Sequence, residues 1–273
     1  MTILVTGATG TVGRHVVRQL ALRGVQVRAL SRNPAKAALP EGVEVVAGNL
    51  NAPDTLGAAF EGVKGMFLIT SSDEPNAALD TQPQVVRMAE QAGVAKVAVL
   101  CGFGEGNVEE ALRNSGMEWT LLQPGEFMAN ILADWRDSIR AEGVVREAFG
   151  DAPSARIHEA DIAAVAVAAL LESGHHRQSY VLTGPEVLSR REAVKVIAEG
   201  IGKEIEFVEL TEEQIRQVWR EQGYEEADID FFVQMGQNPP EIGHTVVPTV
   251  EQVTGRPAKS LAEWAAEHKS EFV

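Results

Sequence analysis

The chain has 273 residues, enough for one enlarged α/β domain or a domain with a smaller lobe. Its 45% apolar and 23% charged residues exclude a disordered, collagenous or coiled-coil chain, and no apolar run reaches the ~18 residues of a membrane span. A net charge of −15 disfavours nucleic acid and anionic membrane surfaces as partners. The charge is uneven, however: the first forty residues hold Arg14, Arg18, Arg23, Arg28, Arg32 and Lys36 and no acidic side chain, which points to a small polyanionic ligand near the N-terminus. The N-terminus carries no basic segment with a cleavage site, and a lone cysteine, Cys101, has no internal disulfide partner, so a cytoplasmic protein is expected.

In chain order, Thr2–Thr6 and Val25–Leu30 read as strands, separated by a helix that buries Val16, Val17 and Leu20. Further strands are predicted at Val43–Ala47, Gly65–Thr70, Lys96–Leu100 and Trp119–Leu122, with helices near 34–39, 53–60, 76–92 and 107–115. This alternation implies βαβ units: a doubly wound α/β fold with a parallel sheet. Ligands in such sheets sit beyond the carboxyl ends of the strands, here Gly7–Gly13, Arg32, Asn49, Thr70–Ser72, Cys101–Gly102 and Pro124–Phe127. After about residue 145 the pattern changes. An apolar helix is expected over Asp161–Glu172 with Asp161 as N-cap, then a strand at Ser179–Thr183. Capping boxes at Ser189–Glu192 and Thr211–Gln214 open two helices flanking a strand at Glu204–Glu209. Helices near 225–235 and Ser260–Lys269 complete a small, mostly helical C-terminal lobe. The expected division is 1–150 for the nucleotide domain and 151–273 for the lobe, with helix 158–172 packing back on the sheet.

Gly7-Ala8-Thr9-Gly10-Thr11-Val12-Gly13 stands between the first strand and the first helix. Its glycines permit a tight turn and close backbone approach to a pyrophosphate, and the helix N-terminus faces the anion. A dinucleotide is therefore expected. NAD sites usually place an Asp or Glu at the end of the second strand, to bond the ribose 2′-hydroxyl. Ser31-Arg32-Asn33 stands there instead, and a guanidinium pairs with a 2′-phosphate that a carboxylate would repel. NADP(H) is favoured; if Arg32 only stacks on adenine, NAD(H) would serve as well.

The segments ILVTGATGTVGRHVV (3–17), ALSRNPAKA (29–37), GVEVVAGNL (42–50), GVKGMFLITSS (62–72), AGVAKVAVL (92–100) and SGMEWTLLQPGEFMAN (115–130) resemble the NmrA-like group of atypical short-chain dehydrogenases/reductases. HEADIAAVAVAALL at 158–171 adds weaker support. The resemblance implies a Rossmann domain with a small C-terminal substrate lobe and NADP(H) lying along Gly7, Thr9, Gly10, Thr11, Val12 and Gly13. It implies Ser31 and Arg32 at the 2′-phosphate, Asn49 and Leu50 beside adenine, and Thr70, Ser71, Cys101 and Gly102 on the nicotinamide side. Pro124, Gly125 and Phe127 would form the wall next to the nicotinamide amide. Relatives of this kind reduce quinones, tailor aromatic polyketides, or sense the dinucleotide without turning it over.

The usual Tyr-x-x-x-Lys acid–base pair is missing: the two tyrosines, Tyr180 and Tyr224, have Gly184 and Asp228 four residues on. Glu105 is the only ionisable side chain in the short segment after Cys101. His158, ahead of the apolar helix, could move a proton or pack against the helix end. Cys101 could be a nucleophile or an apolar filler. Glu126 could meet substrate or water, and Phe127, Met128 and Trp135 could present an apolar face to a flat ring or belong to the core. His175-His176 has no third partner nearby for a metal. Three functions follow: an NADP(H)-dependent oxidoreductase acting on a planar aromatic such as a quinone or polycyclic polyketide, a non-catalytic dinucleotide sensor, or nucleotide-assisted oxygenation of an aromatic polyketide.

Overall fold

The computed structural model describes residues 1–70, 81–102 and 106–273. Ser71, Ser72 and Glu105 lie outside the described residues. The strands are β1 (Thr2–Val5), β2 (Gln26–Ser31), β3 (Glu44–Ala47), β4 (Val63–Ile69), β5 (Lys96–Leu100), β6 (Glu118–Pro124), β7 (Val144–Glu147), β8 (Pro153–Ser154), β9 (Gln178–Leu182), β10 (Leu188–Ser189) and β11 (Glu206–Glu209). The helices are α1 (Gly13–Leu22), α2 (Gly57–Phe60), α3 (Pro83–Gln91), α4 (Asn107–Arg113), α5 (Asn130–Asp134), α6 (Arg136–Glu142), α7 (Glu159–Leu171), α8 (Arg190–Ile201), α9 (Glu212–Glu221), α10 (Glu226–Gln237), α11 (Thr249–Thr254), α12 (Leu261–Glu267) and α13 (Lys269–Phe272).

The chain forms two compact units that interleave along the sequence, so no single cut at residue 150 separates them. The first comprises Met1–Pro124, Glu159–Leu182 and Thr249–Arg256; the second comprises Gly125–His158, Thr183–Pro248 and Pro257–Val273.

The first unit is the doubly wound Rossmann fold. Seven strands run parallel in the order β3-β2-β1-β4-β5-β6-β9, so the direction of winding reverses between β1 and β4. β1 pairs with both neighbours, Val5 lying opposite Ala29 on β2 and Phe67 on β4. Ile3, Leu4 and Val5 are buried on both faces, as a central parallel strand requires. The helix α1 turns Val16, Val17 and Leu20 inward at the expected spacing. Helix α7 is apolar almost all round and packs against α1, β4, β5 and β6, closing the face of the sheet that its small alanines allow it to approach. It opens at Glu159, two residues earlier than the sequence suggests. Asp161 therefore sits inside the first turn, fully buried and ion-paired to Arg256 at 2.7 Å, not at the N-cap. The region near 34–39 makes only a 3₁₀ turn at Pro34–Lys36, and the expected helix at 53–60 is a 3₁₀ turn at Pro53–Thr55 followed by the one-turn α2.

In the second unit, α5, α6, α8, α12 and α13 enclose a core around Met128, Trp135, Ile139, Ile197, Trp264 and Phe272. Ser189, Thr211 and Ser260 cap α8, α9 and α12 through side-chain bonds, each with the reciprocal residue three positions on. Two short pairings escaped the sequence reading: β7 with β11, parallel, and β8 with β10, antiparallel. Among the described residues no helix is long and apolar enough to cross a membrane.

Candidate functional site

The glycine loop leaves β1 where the winding of the sheet reverses, the position at which such sheets bind ligands. Gly7 adopts φ +56°, and a Cβ there would lie 2.7 Å from Ile69 Cδ1. Gly10 N–H donates to Gly7 O at 2.9 Å, tightening the turn, and a Cβ on Gly13 would collide with that same carbonyl. Gly7 is thus required by its positive φ and Gly13 by the close approach of the Gly7 carbonyl. The buried Thr6 hydroxyl donates to Phe67 O and accepts from Ile69 N–H, each at 3.0 Å, and so fixes the loop's root to β4. Thr9 is exposed, Thr11 partly so, and Val12 is buried beneath the start of α1. A tight glycine turn leading into a helix N-terminus suits a pyrophosphate.

Around it the strand ends contribute the other expected residues. Ser31 closes β2, its hydroxyl accepting from Asn33 N–H at 3.1 Å, and the exposed Arg32 stands between them. Of the six basic residues of the first segment, Arg28 is committed elsewhere: it pairs with Glu44 at 2.9 Å and donates to the carbonyls of Ala58, Ala59 and Glu61 at the end of α2. Asn49 is held by Thr55, whose hydroxyl accepts its N–H at 3.0 Å; Leu50 is buried in the core. Thr70 donates from N and Oγ1 to Leu100 O, both at 3.2 Å.

Cys101 follows β5 and is only 4% exposed, its N–H donating to Leu122 O at 3.0 Å. Burial, reinforced by the neighbouring Glu109, pushes its thiol up to about 12. A thiol held there is neutral at physiological pH, which removes the nucleophile role and leaves packing beside the exposed Gly102. Pro124 ends β6 and Gly125 begins the second unit.

Within the second unit, Phe127 bridges to Ile157, and Met128 N–H donates to Ile157 O at 2.9 Å. Phe127 is half-buried, but Met128 is wholly enclosed in the core with Trp135, so neither Met128 nor Trp135 presents a face to a ligand. His158 is likewise fully buried; its Nε2 lies 3.2 Å from Glu267 Oε2, and Glu267 also pairs with Lys259. His158 is enclosed and tied to Glu267 at the end of α12, not an open proton donor. Glu126 keeps 38% of its side chain exposed and pairs with the buried Arg156 at 3.0 Å.

Over 99% of its length the chain is 37% identical to the (4-alkanoyl-5-oxo-2,5-dihydrofuran-3-yl)methyl phosphate reductase of Streptomyces griseus, matching 99% of that protein. The NmrA-like family model matches residues 1–105. The chain belongs to the NmrA-like family. A second relative, the NAD(P)H azoreductase of Xenophilus azovorans, is 35% identical over 99% of both chains. The crystal structure of an NADPH-dependent quinone oxidoreductase from Escherichia coli, complexed with NADPH, superposes with a TM-score of 0.77 at 27% identity, covering 97% of this chain and 99% of that one.

This NmrA-like chain also carries a polar group that its sequence does not announce. In the second unit Glu126, Asp134, Glu147, Arg156 and Arg190 gather around Trp135, from segments spread over sixty-five positions. Trp135 Nε1 donates to Glu147 at 2.9 Å, Arg190 meets the other oxygen of Glu147 at 2.7 Å, and the Arg156 guanidinium lies 5.9 Å from the centre of the indole ring. No spacing rule joins these residues; only the alternation of Trp135, apolar, with charged neighbours hinted that one face of α5–α6 is enclosed.

Proposed function

We propose that this NmrA-like protein is an NADP(H)-dependent oxidoreductase that reduces a planar, electron-poor acceptor, such as a quinone or a polycyclic aromatic polyketide. The observation that carries the reading is the glycine loop: Gly7 takes a positive φ, Gly10 N–H closes the turn onto Gly7 O, and Gly13 leaves no room for a Cβ beside that carbonyl. Arg32 beyond β2 takes the 2′-phosphate, Asn49 and Leu50 flank adenine, and Thr70, Cys101 and Gly102 line the nicotinamide end. The dinucleotide supplies the hydride; the protein orients it and excludes water. Full-length likeness to enzymes named as reductases of a furanone phosphate and of azo compounds supports redox chemistry on a conjugated acceptor. Glu126 and Phe127, which keep exposed surface, are the substrate-facing residues of the second unit in this reading.

The test is NADPH oxidation followed at 340 nm with a panel of quinones, azo dyes and polycyclic phenols. Acceptor-dependent decay is expected, with NADH much the poorer donor. Tight NADPH binding with no decay for any acceptor would replace the reductase by a dinucleotide sensor.

A further inference from the structure

The second unit carries a group of aromatic side chains that no part of the proposed chemistry uses. Helices α9 and α10 are joined by only four residues, Gln222–Glu225, and form a hairpin. α10 turns Ile229, Val233 and Gly236 inward, a stripe at helical spacing, and Gly236 is seated so closely that a Cβ there would lie 2.2 Å from Phe149 Cδ2. Phe231 stands midway between Ile229 and Val233 in sequence, which places it about 160° round the helix from that stripe. It is 57% exposed.

Phe232 is the hub of the group. Its ring centre lies 5.3 Å from Trp219, 5.2 Å from Tyr224 and 6.1 Å from Phe231, each pair in edge-to-face geometry. Tyr224 keeps 37% of its surface exposed, and none of the four rings belongs to the core around Trp264. A single exposed aromatic is ordinary; a contiguous group of four with an open side marks a surface that another molecule covers.

We propose that the outer face of the α9–α10 hairpin docks a basic amphipathic helix of a partner protein. Charge decides the occupant. Between Thr211 and Asn238 seven carboxylates meet two guanidinium groups, a net −5 that is one-third of the chain's −15 in about a tenth of its length. Arg216 is engaged by Glu212 and Asp230, both at 2.8 Å, and Arg220 by Glu226. The hairpin therefore has no cation left for the exposed Glu213, Glu221, Glu225 and Asp228. Asp228 stands one helical turn before Phe231 and shares its face, and Glu225 follows Tyr224 directly. A second copy of the chain, or any phosphate-bearing surface, presents the same sign and is repelled. An apolar face rimmed by carboxylates instead complements a helix with apolar residues along one side and lysine or arginine along its flanks, laid against the hairpin as a third helix.

The experiment is fluorescence anisotropy of a labelled helical peptide of leucine and lysine in amphipathic order, titrated with the intact protein at low and at physiological ionic strength. Saturable binding that weakens with salt is expected. Phe231→Ser should weaken it about tenfold or more, as loss of an aromatic anchor does, and Glu221→Gln combined with Asp228→Asn should weaken it several-fold at low salt. Leu22→Ser, which removes an exposed leucine from the first unit, should leave it unchanged. An unaltered NADPH affinity and denaturation midpoint in Phe231→Ser certify its fold. Binding that survives Phe231→Ser, that Leu22→Ser weakens as much, or that a peptide of lysine alone matches would overturn the proposal, since attraction to the whole acidic chain would then suffice. A dimer in sedimentation equilibrium that Phe231→Ser abolishes would overturn it in favour of a second copy, and a raised acceptor KM in that variant would return the face to the acceptor.

Discussion

The two units place their polar groups in opposite ways. The first relies on backbone: its glycine loop turns tightly into α1, and its one enclosed thiol is kept neutral. The second uses side chains: charged groups are carried inside it, Arg156 under Trp135, Glu147 between Trp135 and Arg190, and His158 against Glu267. A backbone site tolerates change in side chains but not in Cβ count. A side-chain site tolerates neither the loss of one partner nor its displacement, because an unpaired buried charge is left behind.

That contrast can be broken from either side. The largest effect on the second unit is expected from Trp264→Ala. Its ring is fully buried, stacked 4.3 Å from His268, and its removal should cost ~3–5 kcal/mol of unfolding free energy, read by denaturant titration. In the first unit Gly13→Val should lower NADPH affinity by at least about tenfold, since overpacking against the Gly7 carbonyl costs ~1–3 kcal/mol and displaces the loop; calorimetric titration would measure it. Arg32→Ala should weaken NADPH by ~1.5–3 kcal/mol and leave NADH nearly unchanged, the loss of one charge-assisted pair. Equal losses for both cofactors would remove Arg32 as the phosphate reader. Ser189→Ala, which deletes the cap of α8, should lower stability by only ~1 kcal/mol. The smallest response is expected at Cys101. With its thiol at about 12, roughly one molecule in 10⁴ carries the thiolate at pH 8, so iodoacetamide should leave the folded protein unmodified, and rapid alkylation would contradict its burial.

The same contrast explains what could be read before any coordinates. The parallel sheet, the loop and the placement of Arg32 follow from patterns only a few residues long: apolar runs, glycines at fixed offsets, and a basic residue at a strand end. The capping boxes of α8 and α9 were legible for the same reason, since each is closed by two residues three apart. What escaped is non-local. β7 pairs with β11 across some sixty intervening residues; β11 was legible as a strand at Glu204–Glu209, but four-residue β7 did not declare itself and nothing local joined the two. Asp161 resembled an N-cap because the pattern could not show Arg256 waiting for its carboxylate. His158 and Met128 were placed correctly along the chain, but their enclosure depends on residues about a hundred positions away, Glu267 for the first and the Trp264 core for the second.

The interleaving of the units has a consequence for how such a protein can be altered. The chain alternates between them in six segments, so it passes from one to the other five times. The second unit cannot be exchanged as a cassette by recombination at a single junction, nor can a grafted lobe be spliced on after residue 150. Altering the second unit must therefore proceed by replacing individual side chains and trimming individual loops inside one continuous gene.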